Sequence, residues 1–267
     1  MTVDLTTALL LGVLQGIVEW LPVSSEGVVA TAYAYLEDQP LGASVGFALW
    51  LHLGTAVSAT IYFRRELVAI ARELLSRPRH PSPLLRFLVV GTVVGAFIGL
   101  PVLLALDQLS ERAGSAAMGV VGVLMLMTGF LQLRRPKVGT LKRDEVTIKE
   151  ATITGAAQGL AALPGLSRSG LTVAALLALR VDRREALALS FLLSIPASLG
   201  GALFAAIDSK EAFTVEGIAG AAVAAVVGLL TIRGLMAFAQ RINFGALVIV
   251  VGLAIIAGSL LGVFVVT

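Results

Sequence analysis

Six apolar runs of this 267-residue chain, 45–63, 87–106, 116–133, 187–207, 217–232 and 244–266, come close to bilayer-crossing length, about 20 residues as a helix. Hydrocarbon offers no water to pair with backbone N–H and C=O groups, so such a chain must satisfy its backbone internally, as helices. Four further apolar runs are too short. Runs 5–19 and 23–36 meet at Leu21-Pro22, and 150–163 and 165–179 meet at Pro164-Gly165. Proline removes a backbone donor and clashes with the preceding turn, so each pair reads as two half-helices with a break between them. Broken backbone at membrane depth is tolerated only when buried in protein or lining a wet cavity. Both pairs, 5–36 and 150–180, therefore read as re-entrant hairpins. The expected fold is an all-α integral membrane protein: an inverted-topology repeat with six transmembrane helices and two re-entrant helical hairpins in a single polytopic domain, 1–267.

The composition excludes a soluble enzyme of this length: 57% of residues are hydrophobic, 14% are charged, and the mean hydropathy is +0.94. Without cysteine there is no disulfide framework, thiolate nucleophile or cysteine-bound metal. The first apolar run follows Asp4 rather than a basic cluster, so a removable signal peptide is not expected. The net charge of +3 does not point to nucleic acid, because membrane-protein loops collect Lys and Arg for topological reasons. If each hairpin returns to its own side, loops 64–86, 134–149, 180–186 and 233–243 share one side and hold all but three of the 20 Lys and Arg residues. The three are Arg112, Arg168 and Lys210. The basic side is then cytoplasmic and both termini lie outside.

Internal similarity agrees with this topology. Gln15-Gly16 recurs as Gln158-Gly159, Ser24 as Ser167 and Gly27 as Gly170 at one fixed offset, and a Phe-containing span follows each hairpin, with Phe47 and Phe191. Repeat one covers about 1–133 and repeat two about 150–267, joined by a cytoplasmic linker, 134–149. An odd number of crossings between the copies makes the repeat inverted, and such folds place their site near the midplane, where broken helices meet.

The second hairpin carries PGLSRSG, Pro164 to Gly170. An arginine at bilayer depth costs at least about 2.5 kcal/mol, so Arg168 faces protein or water and needs an anionic partner. Its planar fork suits phosphate or carboxylate. Ser167 and Ser169 flank it, and the helix starting there, with Gly170 in its first turn, turns unpaired N–H groups toward an anion. A plainer reading pairs Arg168 with Glu19 or Glu26 as structural glue and uses the serines as caps. It is weakened by a second serine pair, Ser24-Ser25, on another broken helix expected to converge on the same place.

Beside Pro22, the adjacent hydroxyls and Glu19 allow a nucleophile or phosphate ligand with a nearby base. Glu19 and Glu26 allow a hard divalent cation that bridges phosphate oxygens. Gln15, one turn before Glu19 on the same face, either orients a water or metal ligand or makes an interhelical hydrogen bond. His52, within LWLHLGT, reads first as a satisfied interhelical donor, although intramembrane ionisable groups are functional suspects. Trp20 and Trp50 read as packing or interfacial residues. RRELVAIARELLSRPRH reads as a cytoplasmic amphipathic helix lying on anionic headgroups.

QGIVEWLPVSS and PGLSRSG resemble the two signature segments of the undecaprenyl-diphosphatase family, the bacitracin-resistance proteins, and the likeness runs through LHLGTAVSATIYFRR and SFLLSIPAS over essentially the whole chain. The resemblance implies a plasma-membrane phosphatase that cleaves polyprenyl diphosphate to polyprenyl phosphate and inorganic phosphate, with its site facing outward. It also implies a divalent cation, Mg2+ or Ca2+. By position, Glu19 matches the motif's acidic residue, Gln15 the acid-or-amide before it, Ser25 the proposed nucleophile, and Arg168 the diphosphate-holding arginine, with Ser167 and Ser169 beside it. Bacterial members commonly read Ser-Ser-Thr-Gly-His or Ser-Ser-Thr-Ala-His. Here the stretch is Ser24-Ser25-Glu26-Gly27-Val28, which resembles archaeal-looking members, implies a dolichol-type carrier and leaves proton transfer to Glu26, His52 or metal-bound water.

The expected catalytic set is Glu19, Ser25, Glu26 and Arg168, with Glu19 and Glu26 as metal ligands and Gln15, Ser24, His52, Ser167, Ser169 and Gly170 around the substrate. The expected partners are the lipid diphosphate and membrane lipids, with a homodimer allowed and no nucleic acid. Inverted repeats with paired hairpins are also carrier architecture, so the rival reading is a transporter or flippase of a polyprenyl phosphate or small anion.

Overall fold

A computed structural model describes residues 3–76, 81–133, 139–208, 210–239 and 244–261. Among them the chain is all helical: α1 Leu5–Val18, α2 Ser25–Glu37, α3 Leu41–Tyr62, α4 Arg64–Ser76, α5 Pro83–Leu133, α6 Ile148–Leu160, α7 Arg168–Ala178, α8 Arg183–Asp208, α9 Val215–Ala239 and α10 Gly245–Leu260, with a 3₁₀ turn at Lys210–Phe213. Four segments are apolar and long enough to cross a membrane: Gly42–Tyr62, Pro83–Ala105, Arg183–Ile207 and Val215–Phe238. Met118–Leu133 and Gly245–Leu260 are shorter, and residues 262–266 of the sixth expected run lie outside the described residues. The chain is thus a multi-pass helical membrane protein. Many large apolar side chains, Phe97, Ile207 and Leu230 among them, are exposed, as lipid contact allows.

Each pair of short helices starts and stops on local signals. Asp4 caps α1 by accepting from the N–H groups of Thr6 and Thr7 at 2.9 and 3.3 Å. Ser24 caps α2 and Ser167 caps α7, each accepting from the N–H three residues on. Thr147 and Glu150 close a reciprocal capping box at the start of α6. A helix of 13 or 14 residues rises only about 20 Å, short of the ~30 Å hydrocarbon core.

The expected break between 87–106 and 116–133 is replaced by one helical assignment, the 51-residue α5. It is not one straight rod. Gly99 lies against Gly159 and Ala162, while Val121 and Leu124 lie against Gly165. A straight helix would hold residues 99 and 121 about 33 Å apart, whereas residues 162 and 165 are at most about 11 Å apart along the chain. The α5 axis must turn between its two apolar parts, so that both reach the α6–α7 pair.

Glycines set the helix crossings. On α1, a Cβ at Gly16 would meet the Gly228 nitrogen of α9 at 2.8 Å, and Gly12 faces the Gly220 carbonyl. On α6, Gly155 faces Gly91 and Gly159 faces Gly95 and Ile98 of α5. Gly122 and Gly129 of α5 meet Gly252 and Gly245 of α10 in the same way. Lipid tails are as apolar as leucine, so close backbone approach through small residues is the available source of helix–helix attraction here. Behind these crossings Trp20 stacks on Phe191 with ring centroids 5.7 Å apart, and Tyr33 on Phe47 at 4.9 Å.

The linker before α6 is pinned to the α7–α8 turn. Leu141 N–H donates to the Arg180 carbonyl, Asp182 N–H donates to the Leu141 carbonyl, and Arg143 pairs with Glu185 at 2.6 Å. No residue of α4 is buried. Its Arg64, Arg65 and Arg72 share the helix with exposed Val68, Leu74 and Leu75, the composition expected of a helix lying at a headgroup surface.

Gly16→Ala should lift α1 from α9, because the new methyl would meet backbone 2.8 Å away that cannot yield, at a cost of about 1–3 kcal/mol. Gly234 has nothing within 4 Å of an added Cβ, so Gly234→Ala should be neutral or slightly stabilising. Thermal unfolding of the detergent-purified variants checks this, and equal midpoints would refute the packing.

Candidate active site

The two loops that break the short helices, 19–24 and 161–167, meet each other. Ser24 Oγ accepts from Gly27 N–H at 3.2 Å and from Gly165 N–H, in the other loop, at 3.1 Å. Ser167 Oγ accepts from Gly170 N–H and donates to the Val23 carbonyl, both at 3.1 Å. Ser169 Oγ donates to the Leu21 carbonyl at 3.2 Å. Two side chains one turn apart on α5 complete the join: Thr128 Oγ1 donates to the Gly165 carbonyl, and Gln132 Nε2 to the Pro22 carbonyl. Breaking a helix frees backbone groups that hydrocarbon cannot satisfy, and these hydroxyls and amides satisfy them. Gly165 sits at φ +98° with the Val121 carbonyl against it, so a side chain is excluded by conformation and by space.

Glu19 lies at the centre of the join and is 3% exposed. Its Oε2 accepts from Gln15 Nε2 at 3.0 Å and from Ser25 Oγ at 2.6 Å, with His52 Nε2 at 3.2 Å. Its Oε1 takes the Nη2 of Arg168. Each donor comes from a different place: Gln15 from α1, Ser25 from the first turn of α2, His52 from α3 and Arg168 from the first turn of α7. His52 Nδ1 lies 2.7 Å from the Ala48 carbonyl. Carbonyl and carboxylate oxygens only accept, so Nδ1–H is directed at Ala48 and Nε2–H at Glu19, with Ser25 Oγ 3.5 Å from Nε2.

A cavity of about 270 Å³ opens beside this cluster, with Glu19, Ser25, Glu26, His52, Arg168 and Ser169 at its polar end. The rest of its lining is mostly apolar, with Leu100 and Leu103 from α5, Leu166 from the loop and Phe204 from α8. Two polar atoms at this end are buried without partners, Arg168 Nη1 and Glu26 Oε1. Arg168 therefore spends one nitrogen on Glu19, while its Nη1 makes no hydrogen bond among the described residues. An arginine anchored by a carboxylate, a hydroxyl held by the same carboxylate and an apolar limb fit an amphiphile with a phosphate head.

The expected site residues divide by what their polar atoms do. Glu19, Ser25, Glu26, His52, Arg168 and Ser169 border the cavity, and Gln15 supports Glu19 from behind. Ser24, Ser167 and Gly170 are engaged in the join: their hydroxyls and N–H groups pair with one another and with the opposite loop. Val28 packs against the hydrophobic cluster that holds Tyr33 and Phe47, and His52 reaches the cavity from α3. Sequence reasoning passed over Thr128, Gln132 and Ser198. Ser198 borders the cavity from α8, in the span that follows the second hairpin.

Of the two expected metal ligands, Glu19 is the more engaged. Its Oε2 accepts from Gln15 and Ser25 and faces His52, and its Oε1 accepts from Arg168, so a cation there would sit beside a guanidinium. Among the described residues there is no group of three or more His, Cys, Asp or Glu arranged to hold a metal. One free oxygen on Glu26 could serve as a single protein ligand.

The family model described as bacitracin resistance protein BacA matches residues 8–256. Relatives named undecaprenyl-diphosphatase include one from Haloarcula marismortui, 39% identical over 261 residues (95% of this chain, 97% of the relative). One from Methanococcoides burtonii is 34% identical over 252 residues (90% and 93%), and one from Methanopyrus kandleri is 36% identical over 256 residues (94% of each).

Ser24→Ala and Ser167→Ala each remove a helix cap and a bond between the loops. Each should cost about 1–2 kcal/mol of stability, read by thermal unfolding in detergent. Unchanged midpoints in both variants would show that the serine join is not what holds the loops together.

Proposed function

The chain belongs to the bacitracin resistance protein BacA family, and on that premise we propose that it is a membrane phosphatase that hydrolyses undecaprenyl diphosphate, or a dolichyl-type diphosphate, to the polyprenyl phosphate and inorganic phosphate. This returns the lipid carrier of envelope glycan synthesis. The observation that carries the reading is the buried, unpartnered Nη1 of Arg168, which borders a cavity whose remaining lining is mostly apolar.

Arg168 Nη1 holds the terminal phosphate while Glu19 fixes the guanidinium through Nη2. Ser25 Oγ, hydrogen-bonded to Glu19 Oε2 at 2.6 Å, attacks the terminal phosphorus. Its proton passes to Glu19, the P–O bond to the bridging oxygen breaks, and the polyprenyl phosphate leaves with that electron pair. Water then displaces Ser25 from phosphorus, and the serine oxygen takes back a proton. Phosphoryl transfer spreads negative charge over the transferred oxygens, so fixed donors in a water-poor site supply most of the stabilisation. His52, locked by the Ala48 carbonyl, positions the shared oxygen of Glu19. A divalent cation, if bound, neutralises phosphate charge, and Glu26 is the residue that would hold it.

The repeat belongs to the same proposal. Ser24 and Ser167 cap and cross-link in equivalent ways, Pro22 and Gly165 offer equivalent carbonyls to α5, and α1 packs on α9 as α6 packs on α5, which supports an inverted pair of re-entrant hairpins within six crossings. The Lys/Arg excess in loops 64–86, 134–149, 180–186 and 233–243 supports an outward-facing site with both termini outside.

Purified protein should release phosphate from a polyprenyl diphosphate. Arg168→Ala and Ser25→Ala should each lower kcat at least about 10²-fold while remaining folded. Wild-type turnover by both variants would sink the assignment, and leaflet-to-leaflet lipid transfer in vesicles without phosphate release would favour a carrier.

A further inference from the structure

The half of the molecule that supplies Arg168 also holds an amide and a hydroxyl that the mechanism above does not use. Gln158 and Ser198 are each 7% exposed and border the same cavity, and Gln158 Oε1 is buried without a partner. The counterpart of Gln158 at the repeat offset is Gln15, and there the chemistry is explicit. Gln15 Nε2 donates to Glu19 Oε2 at 3.0 Å, so a buried amide grips a carboxylate.

In the second half the residue equivalent to Glu19 is Ala162, which also borders the cavity. The amide is kept, the carboxylate is reduced to a methyl, and cavity borders the place of the missing acid, with the Ser198 hydroxyl on the same cavity. A buried amide oxygen without a partner is costly, and the amide is not committed to one orientation. Its Nε2 is not among the fully buried unpartnered atoms and can donate to an anion arriving from the cavity.

We propose that the second half binds the lipid-linked phosphate of the substrate where the carboxylate of Glu19 sits in the first half, with the Gln158 amide and the Ser198 hydroxyl as donors. The terminal phosphate stays with Arg168 and Ser25. This rests on the phosphatase reading, and it gives each phosphate its own half of the repeat. After hydrolysis the polyprenyl phosphate keeps its contact with Gln158 and Ser198, whereas inorganic phosphate depends on Arg168. The two products therefore respond to different residues.

Equilibrium binding of farnesyl phosphate and, separately, of inorganic phosphate to the detergent-purified full chain tests the division without requiring turnover. Gln158→Leu should weaken farnesyl phosphate about tenfold or more and leave inorganic phosphate within twofold. Ala162→Glu should supply the missing carboxylate from the protein itself and abolish farnesyl phosphate binding, again sparing inorganic phosphate. Ser198→Ala, a smaller change, carries the test if either variant loses its thermal transition, and should weaken farnesyl phosphate several-fold. Unchanged farnesyl phosphate binding in the folded variants, equal weakening of both ligands, or no binding of farnesyl phosphate by the wild type would overturn the proposal. A wild type that binds farnesyl phosphate but releases no phosphate from a diphosphate would sink the phosphatase reading and leave this binding result standing.

Discussion

The buried contact between Glu19 and Arg168 is the interaction around which this molecule is arranged. Taking two charges out of water costs several kcal/mol per ion, and the pair persists only where further hydrogen bonds complete it. Glu19 receives those bonds from α1 and α2 and faces His52 of α3, while Arg168 stands at the first turn of α7. Four helices must be in register for the pair to be tolerable. The pair in turn fixes Arg168 at the border of the cavity.

A second layer of constraint comes from the broken helices themselves. Interrupting backbone inside a membrane protein frees carbonyls and N–H groups that lipid cannot satisfy. Ser24, Ser167, Ser169, Thr128 and Gln132 satisfy them across the join, and the glycine crossings of α1 on α9 and α6 on α5 bring the loops close enough for this. The serines that look most like ligands in the sequence are thus divided. Ser24 and Ser167 are occupied in holding the loops, whereas Ser25 donates to Glu19 and borders the cavity.

Much of this was legible in the residues. Short apolar runs meeting at Pro22 and at Pro164-Gly165 located the breaks, Ser24 and Ser167 read as helix starts, and a charged residue at membrane depth named Glu19 and Arg168 as partners. The separation of α5 into two segments was not legible as a boundary, because residues 106–117 continue in helical conformation although both apolar flanks must reach the same pair of short helices. Nor could the sequence distinguish a serine that caps from one that acts, since both sit beside the same proline and differ by a single position.

Sequence alone determined where helices begin, where they break and which charges must find one another, because capping, proline geometry and the cost of burial act within a few residues of chain. Tertiary structure alone decided which donors surround Glu19, which histidine reaches it and which amide is left facing an empty partner. Those outcomes depend on helices separated by up to about 150 residues of chain meeting within 3 Å. The glycines that permit such approach are marked in the sequence only as small residues. Which glycine meets which backbone is fixed by packing the whole set together.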